Sequence, residues 1–338
     1  MKKFVLGMLS FALLASNVKA DEGMWLPWLL KSQTTEAMTK EELNRSNPMF
    51  IEQSLGTMAG VQVDKRTQLG GQRIVIRGYG NDQKFNNWGV KCYYNGVPLT
   101  TADGVTVLDD VDFGIINNIE VIKGPASTMY GSGVGGVARF YLKNDEPKGV
   151  TFEQKLIGGS FNLMQSHSRI ALVGDNSNIS INYGYLSSDG YRPHGDSKKN
   201  FFNIFGDIRI TDKDHIAIYA SHNKSLDNVT GQISYADYYA GKDPGNAAYI
   251  KKDAKNDFTT DRFSVTNYYN FNTHISNQTA FFYSNSDYTN ISAGAYGNSM
   301  NPNYGVRSVF SLKYNLAKDF QNDLNIGMEL QQSKSIAS

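Results

Sequence analysis

Two rhythms of apolar spacing divide this chain. Between Gln72 and Lys143, short half-buried runs are separated by turn residues. Gln72 to Arg77 alternates polar and apolar positions and stops at Gly78, as a strand ended by a turn should. Lys91 to Asn95 is an aromatic-rich strand, and Asn95-Gly96 is a tight-turn dipeptide. Pro98 keeps the next segment off a central strand position. Asn117 to Lys123 alternates again, with Ile119, Val121 and Lys123 on one face, and Val137 to Lys143 resumes as a strand after a glycine-rich stretch. Strands at 72–77, 91–95, 117–123 and 137–143 predict a small α+β domain over residues 39–145.

From Lys148 onward the rhythm becomes a strict period of two. Ile179, Ile181, Tyr183 and Tyr185 share one face against Ser180, Asn182 and Gly184. Phe202, Ile204, Ile208 and Ile210 repeat the pattern, as do Phe310, Leu312, Tyr314 and Leu316, and then Leu324, Ile326, Met328 and Leu330. The connections differ in length: 174–178 and 211–214 are tight, whereas 187–200 and 225–261 are long. Alternating strands with short turns at one end and long loops at the other predict antiparallel transmembrane β-barrel strands, apolar side to lipid and polar side to the lumen. A soluble β-sandwich also alternates.

The start of the chain shifts the balance between these two. Lys2 and Lys3, the apolar run Phe4 to Ala15 and Val18-Lys19-Ala20 make residues 1–20 a secretory signal peptide. A mean hydropathy of −0.41 agrees with a mature protein without membrane helices. The single cysteine, Cys92, excludes a disulfide-stapled fold, and a net charge of +1 gives no reason to expect nucleic acid. Export, 20 Tyr and 18 Phe suit a barrel of the outer membrane. Catalysis finds no support, because His167, His194, His215, His222 and His274 are scattered and no G-x-S-x-G elbow is present. Gly131-Ser132-Gly133-Val134-Gly135-Gly136 formally contains a dinucleotide fingerprint, but the β-rich run Val137 to Leu142 follows it, where a helix N-terminus would be needed.

Four motifs occur in a fixed order: Ile76-Arg77-Gly78, then Asn95-Gly96-Val97-Pro98-Leu99, then Val121-Ile122-Lys123-Gly124-Pro125-Ala126-Ser127-Thr128-Met129-Tyr130-Gly131, then Gly135-Gly136-Val137. In this order they resemble the plug domain of TonB-dependent outer-membrane receptors. The resemblance implies an α+β plug over 39–145 followed by part of a β-barrel over 146–338. About 190 residues remain after the plug, enough for about eight to ten strands of an expected 22 or so. The chain therefore reads as a fragment or truncated product, its last residues Gln331 to Ser338 offering no closing strand. Gly78, Gly96, Gly124, Pro125, Ser127, Tyr130, Gly131, Gly135 and Gly136 are the structural residues of the plug motif.

By the same resemblance, ligand contact falls on two plug loops. One runs from Tyr79 to Gly89 with Asn81, Asp82, Gln83, Asn86, Asn87 and Trp88; the other carries Thr100, Thr101 and Asp103. Arg77 and Lys123 stand where the family latches plug to barrel glutamates, and lysine at the second position loses the bidentate fork. The implied activity is TonB-dependent uptake of a scarce nutrient into a Gram-negative cell, with an Fe(III)–siderophore complex as the default cargo and no resident cofactor. Its partners would be TonB of the TonB–ExbB–ExbD complex, outer-membrane lipid and a small chelate. Haem, cobalamin or glycan receptors of the same family, and a passive porin or adhesin, are the alternatives. Residues 21–38 carry no clear TonB box. Asp21-Glu22-Gly23-Met24-Trp25-Leu26 is instead similar to the mature start of an exported dipeptidyl peptidase family, none of whose catalytic surroundings follows.

Overall fold

The computed structural model describes residues 35–43, 45, 50–80, 88–124, 130, 131, 133–142, 146–317 and 320–337. Glu36 to Ser338 forms one compact unit. Residues 1–20, expected as a signal peptide, and residues 81–87, Pro125 and Ser127 lie outside the described residues.

Within the first rhythm, β1 (Thr35–Met38), β4 (Val90–Tyr94), β5 (Val97–Pro98), β6 (Ile116–Lys123) and β7 (Gly136–Leu142) make a sheet in the order β1-β6-β7-β4-β5. β7 runs antiparallel to β6 and parallel to β4. β2 (Val61–Asp64) and β3 (Arg73–Ile76) form a separate antiparallel pair beside α2 (Ile51–Leu55), while α1 (Lys40–Leu43) lies against β6. The turn between β4 and β5 holds Asn95 at φ 44° and Gly96 at φ 83°, the two positive values that a type I′ hairpin requires. Pro98 sits in the edge strand, where its missing N–H breaks no ladder. The glycine run leads into β7 and not into a helix, which removes the dinucleotide geometry.

The core is shared across these elements. Val90, Cys92 and Tyr94 of β4 bury one face with Ile74, Ile76, Val121 and Phe140, and Ile51 and Leu55 of α2 close over them. Phe140 meets Phe113 edge-on at 5.9 Å and Tyr94 at 6.0 Å. Cys92 is fully enclosed, so burial pushes its thiol up to about 12.

The second rhythm becomes a meander of nine long antiparallel strands: β8 (Gly149–Gly159), β9 (Leu163–Val173), β10 (Ser177–Ser188), β11 (Ser197–Thr211), β12 (Asp214–Asn228), β13 (Lys255–Asn270), β14 (Ile275–Ile291), β15 (Tyr296–Ala317) and β16 (Phe320–Ser333). Lengths from 11 to 22 residues reach or exceed what a tilted strand needs to cross a bilayer. A short β17 (Ile336–Ala337) pairs with β15, so the final segment does add a strand, though not one on the main path. Among the described residues the sheet stays open, with β8 and β16 at its edges.

This wall is apolar outside and polar inside. Ile179, Ile181, Tyr183, Phe202, Ile204, Leu324, Ile326 and Met328 are exposed, while Gln165, Arg169, Asn182, Lys199, Asn203 and Asn223 are buried. That is the reverse of a water-soluble sheet and the arrangement that a hydrocarbon exterior demands. Phe205, Ala217 and Tyr219 break the polar inner rule by joining the core of the small domain, where Tyr219 meets Tyr94 at 5.7 Å.

The loop asymmetry is narrower than the sequence suggests. β10 to β13 continue through polar residues, because ladder hydrogen bonds do not need apolar side chains, and this trims the connections to 189–196 and 229–254. The same end also carries the short turns 160–162 and 292–295. Inside 229–254 lie two short helices, α3 (Tyr235–Tyr239) and α4 (Ala247–Lys251), capped by Ser234 and Asn246.

Two measurements check this fold. Gly136 has φ 150°, and a Cβ there would press on the Ile122 carbonyl and lie 2.8 Å from Ile76 Cδ1. Gly136→Ala is expected to cost about 1–3 kcal/mol, read as a lower denaturation midpoint; an unchanged midpoint would remove the constraint. Cys92 is expected to resist maleimide at neutral pH until denaturant opens the domain, because burial blocks access and suppresses the thiolate. Rapid labelling of the native protein would contradict the enclosed core.

Candidate functional site

The segment Leu108 to Phe113 faces two ways. Leu108, Val111 and Phe113 enter the core of the small domain, while Asp109, Asp110 and Asp112 are driven, buried, against the inner wall. Asp110 Oδ2 accepts from Arg262 Nη2 of β13 at 2.7 Å, and its carbonyl accepts from Asn223 Nδ2 of β12 at 2.7 Å. Lys199 Nζ of β11 stands 3.7 Å from Asp109 Oδ1 and 3.8 Å from Asp227 Oδ2 of β12, and donates to the Asp109 carbonyl at 3.2 Å. Asp112 Oδ2 accepts from Asn203 Nδ2 at 3.0 Å and lies 3.8 Å from His167 Nε2. Burial raises the Asp109 and Asp112 carboxyls above their ordinary range, while Lys199 and His167 respectively pull them back down.

A second cluster joins β4 to the far side of the wall. Glu329 of β16 pairs with Lys91 and, at 3.3 Å, with Arg307 of β15. Tyr93 donates its hydroxyl to Glu329 at 3.3 Å, with the Lys91 and Arg307 cations 5.4 and 5.2 Å from its ring centre. Gln331 Nε2 donates to the Thr100 carbonyl at 2.8 Å, and Gln278 Nε2 to the Asn95 carbonyl at 3.2 Å. The small domain is thus fastened to the inner face of the strands at several separate places.

These contacts redistribute the expected latch. Lys123 pairs with Glu36 of β1, inside the small domain. Arg77 is exposed with φ 50°, and its backbone N–H donates to the Gly60 carbonyl at 2.8 Å. Among the described residues the lysine that meets a barrel glutamate is Lys91, because alternation along β4 turns Lys91 and Tyr93 away from the core side occupied by Cys92. The aspartate row escaped the sequence reading. Only half of its signal was there: three carboxylates lie among core residues, but Lys199 fell in the expected connection 187–200 and Arg262 in no predicted strand.

Two clefts open between the small domain and the wall, at the end where connections 229–254 and 292–295 lie. The larger, about 800 Å³, is lined by Lys65 to Gln68 between β2 and β3, by Tyr191 and Arg192, and by 228–233 with Tyr238, Asp243 and Tyr249. The smaller, about 270 Å³, runs between Thr101, Asp103 and Thr106 and the wall residues Thr260, Ser284, Ser286, Tyr288 and Asn301. Thr101 and Asp103 therefore border a cleft, held together by a 2.5 Å hydrogen bond. Thr100 does not: it is buried, its hydroxyl accepting from the Cys92 N–H at 2.8 Å and bonded to Thr106 at 2.6 Å.

Trp88 is exposed, and Asn81, Asp82, Gln83, Asn86 and Asn87 fall outside the described residues. β2 and β3 are a hairpin, so the segment after Ile76 leaves from the opposite end to residues 65–72, which reach the larger cleft. Thr67 confirms the direction by donating to Asp227 Oδ1 of the wall at 3.1 Å. Of the motif residues, Tyr130 packs edge-on to Tyr93 at 5.6 Å, and a Cβ on Gly135 would meet Tyr79 Cβ at 2.5 Å. Asn301 and Asn303, which flank Pro302, both belong to the wall's inner surface. Among the described residues no group of three His, Cys, Asp or Glu side chains could hold a metal.

Comparison with known proteins agrees with this architecture. Residues 31–137 match the family model described as TonB-dependent Receptor Plug Domain. Among curated proteins, the chain is 28% identical over 118 residues to a vitamin B12 transporter of Vibrio vulnificus, covering 33% of this chain and 18% of that one. It is 33% identical over 87 residues to a hemin receptor of Yersinia pestis, covering 25% and 12%. Among solved structures, the unliganded ferric citrate transporter FecA superposes with a TM-score of 0.70 at 14% identity, over 89% of this chain and 48% of that one. The siderophore receptor PirA from Acinetobacter baumannii gives 0.68 at 14%, over 92% and 50%, and the ferric yersiniabactin uptake receptor FyuA from Yersinia pestis 0.69 at 16%, over 89% and 48%. The chain spans about half the length of these structures. It carries the plug domain of the TonB-dependent receptors, followed by ten strands with the fold of part of their barrel.

Proposed function

We propose that this protein serves TonB-dependent uptake of a scarce nutrient across the outer membrane of a Gram-negative cell, with an Fe(III)–siderophore complex as the cargo. The observation that carries the reading is a folded plug seated by buried ion pairs against a wall that is apolar outside and polar inside. Such a plug blocks passive flow, which argues against a porin or adhesin and leaves passage to an energised step. TonB of the TonB–ExbB–ExbD complex is the partner that would supply it. Relatives that take up siderophores, ferric citrate, hemin or vitamin B12 support receptor chemistry over an enzyme. The ligand would enter at the end carrying connection 229–254, through the clefts bordered by residues 65–68 and by Thr101 and Asp103. Trp88 lines neither cleft.

Two outcomes are expected. Cells dependent on this protein should accumulate radiolabelled ferric chelate with TonB present and lose uptake when TonB is deleted; equal uptake in both strains would defeat the proposal. Asp110→Ala should leave the buried Arg262 guanidinium without its counter-charge and weaken plug seating by about 3–5 kcal/mol. The measurement is sensitivity of the cells to a large antibiotic normally excluded by the outer membrane. Asp110→Ala cells as resistant as wild type, at equal receptor levels, would show that this pair does not hold the plug.

A further inference from the structure

The wall of the smaller cleft is built in three rungs. Strand register aligns Phe258, Tyr288 and Ser299, then Thr260, Ser286 and Asn301, then Arg262, Ser284 and Asn303. The first rung is an aromatic platform, with the Phe258 and Tyr288 rings stacked 4.3 Å apart and 14° from parallel. The second is a row of uncharged oxygen and amide groups: Thr260 and Ser286 hydroxyls lie 3.0 Å apart, and Asn301 Nδ2 donates to the Ser286 carbonyl at 3.2 Å and to Ser299 Oγ at 3.0 Å. A hydroxyl offers one donor and two lone pairs, so these groups keep capacity for a ligand after bonding one another.

Exposed Lys334 apart, the cations around both clefts are already engaged. Arg262 is bound to Asp110, Lys65 pairs with Glu52 at 2.9 Å, and Arg192 grips Asp243 with bonds of 2.5 and 3.1 Å. Arg66 has a partner too. At the mouth of the smaller cleft, exposed Asp103 and Lys334 offset each other. A polyanion entering here would lose its hydration and gain only Lys334, a solvent-exposed charge countered by Asp103 at the same mouth, an unfavourable exchange. An uncharged ligand with many oxygens would trade water for the hydroxyl and amide rungs and lay a carbon face on Tyr288.

We infer that the smaller cleft takes an uncharged, oxygen-rich ligand, and that its serine, threonine and asparagine rungs select against polyanionic chelates. The inference rests on the uptake reading above and specifies its ligand. Two sources share this chemistry, a neutral ferric trihydroxamate and a neutral oligosaccharide.

The test is equilibrium binding to the purified full chain in detergent, with three probes: a neutral ferric trihydroxamate, a neutral oligosaccharide and a trianionic ferric tricatecholate. One neutral probe should bind, with an affinity that changes less than about twofold between low and high salt. The tricatecholate should bind at least about tenfold more weakly. Ser286→Ala and Asn301→Ala should each weaken the neutral probe about fivefold, the effect of one lost hydrogen bond. Ser286→Lys should shift preference toward the trianion, which a purely structural role for Ser286 would not produce. Which neutral probe binds separates the two sources. Tighter binding of tricatecholate, strong salt dependence, or binding of neither neutral probe would overturn the inference. TonB-dependent uptake selective for the trianion would remove the ligand class and spare the receptor reading. Neutral-probe binding without TonB-dependent uptake would do the reverse.

Discussion

A carboxylate taken out of water must meet a counter-charge or give up its ionised state. Asp109, Asp110 and Asp112 impose that condition on the whole molecule. They project from a segment whose other side chains are fixed in the plug core, so the cations that satisfy them have to stand at set places on the wall. Lys199 and Arg262 come from β11 and β13, and Asp112 meets Asn203 of β11 with His167 of β9 beside it. Meeting all three at once fixes the rotation and the depth of the plug. The core contacts of Phe205, Ala217 and Tyr219 then add apolar burial to an orientation that the charges have already selected.

The polar inner face follows from the same requirement. A lumen filled by a plug whose surface is charged has to offer hydrogen bonds, while the outer face has to offer none. Alternation along each strand meets both demands with a single backbone. It also explains why the clefts have walls of hydroxyls and amides: they are the continuation, beyond the edge of the plug, of rows that elsewhere bind it. Gln331 shows the continuity, donating both to the Thr100 carbonyl of the plug and to Asn303 of the wall.

Much of this was legible in the amino-acid sequence, and the exceptions have physical causes. The strand expected at 72–77 is observed at 73–76, that at 91–95 at 90–94, and those at 117–123 and 137–143 lie at 116–123 and 136–142. Period-two alternation also gave the outward faces of β10, β11, β15 and β16, because a strand has only two faces to choose between. Strand direction was the weak link. Periodicity says which side a residue faces but not which end of a strand points to the clefts, so residues 65–72 carry no local sign of bordering one. The pairing of Lys123 with Glu36 needed a strand, β1, that its own composition does not announce. The aspartate row was visible as letters, yet its partners run from His167 to Arg262, up to 152 residues away and beyond the reach of any local pattern.

Those separations bear on the order of assembly. Asp110 waits for Arg262 across 152 residues, and Lys91 waits for Glu329 across 238. Closing such long loops is slow compared with pairing neighbouring strands. The plug core can form early from contacts within residues 36–142, but its aspartates then face water with no cation beside them. In that interval the acidic segment acts as a solubilising surface, charged and hydrated, on a domain that will later be enclosed. Docking then brings this acidic segment to a wall that bears Lys199 and Arg262 at matching heights. The ion pairs that position the finished protein would, before it is finished, protect it from aggregation.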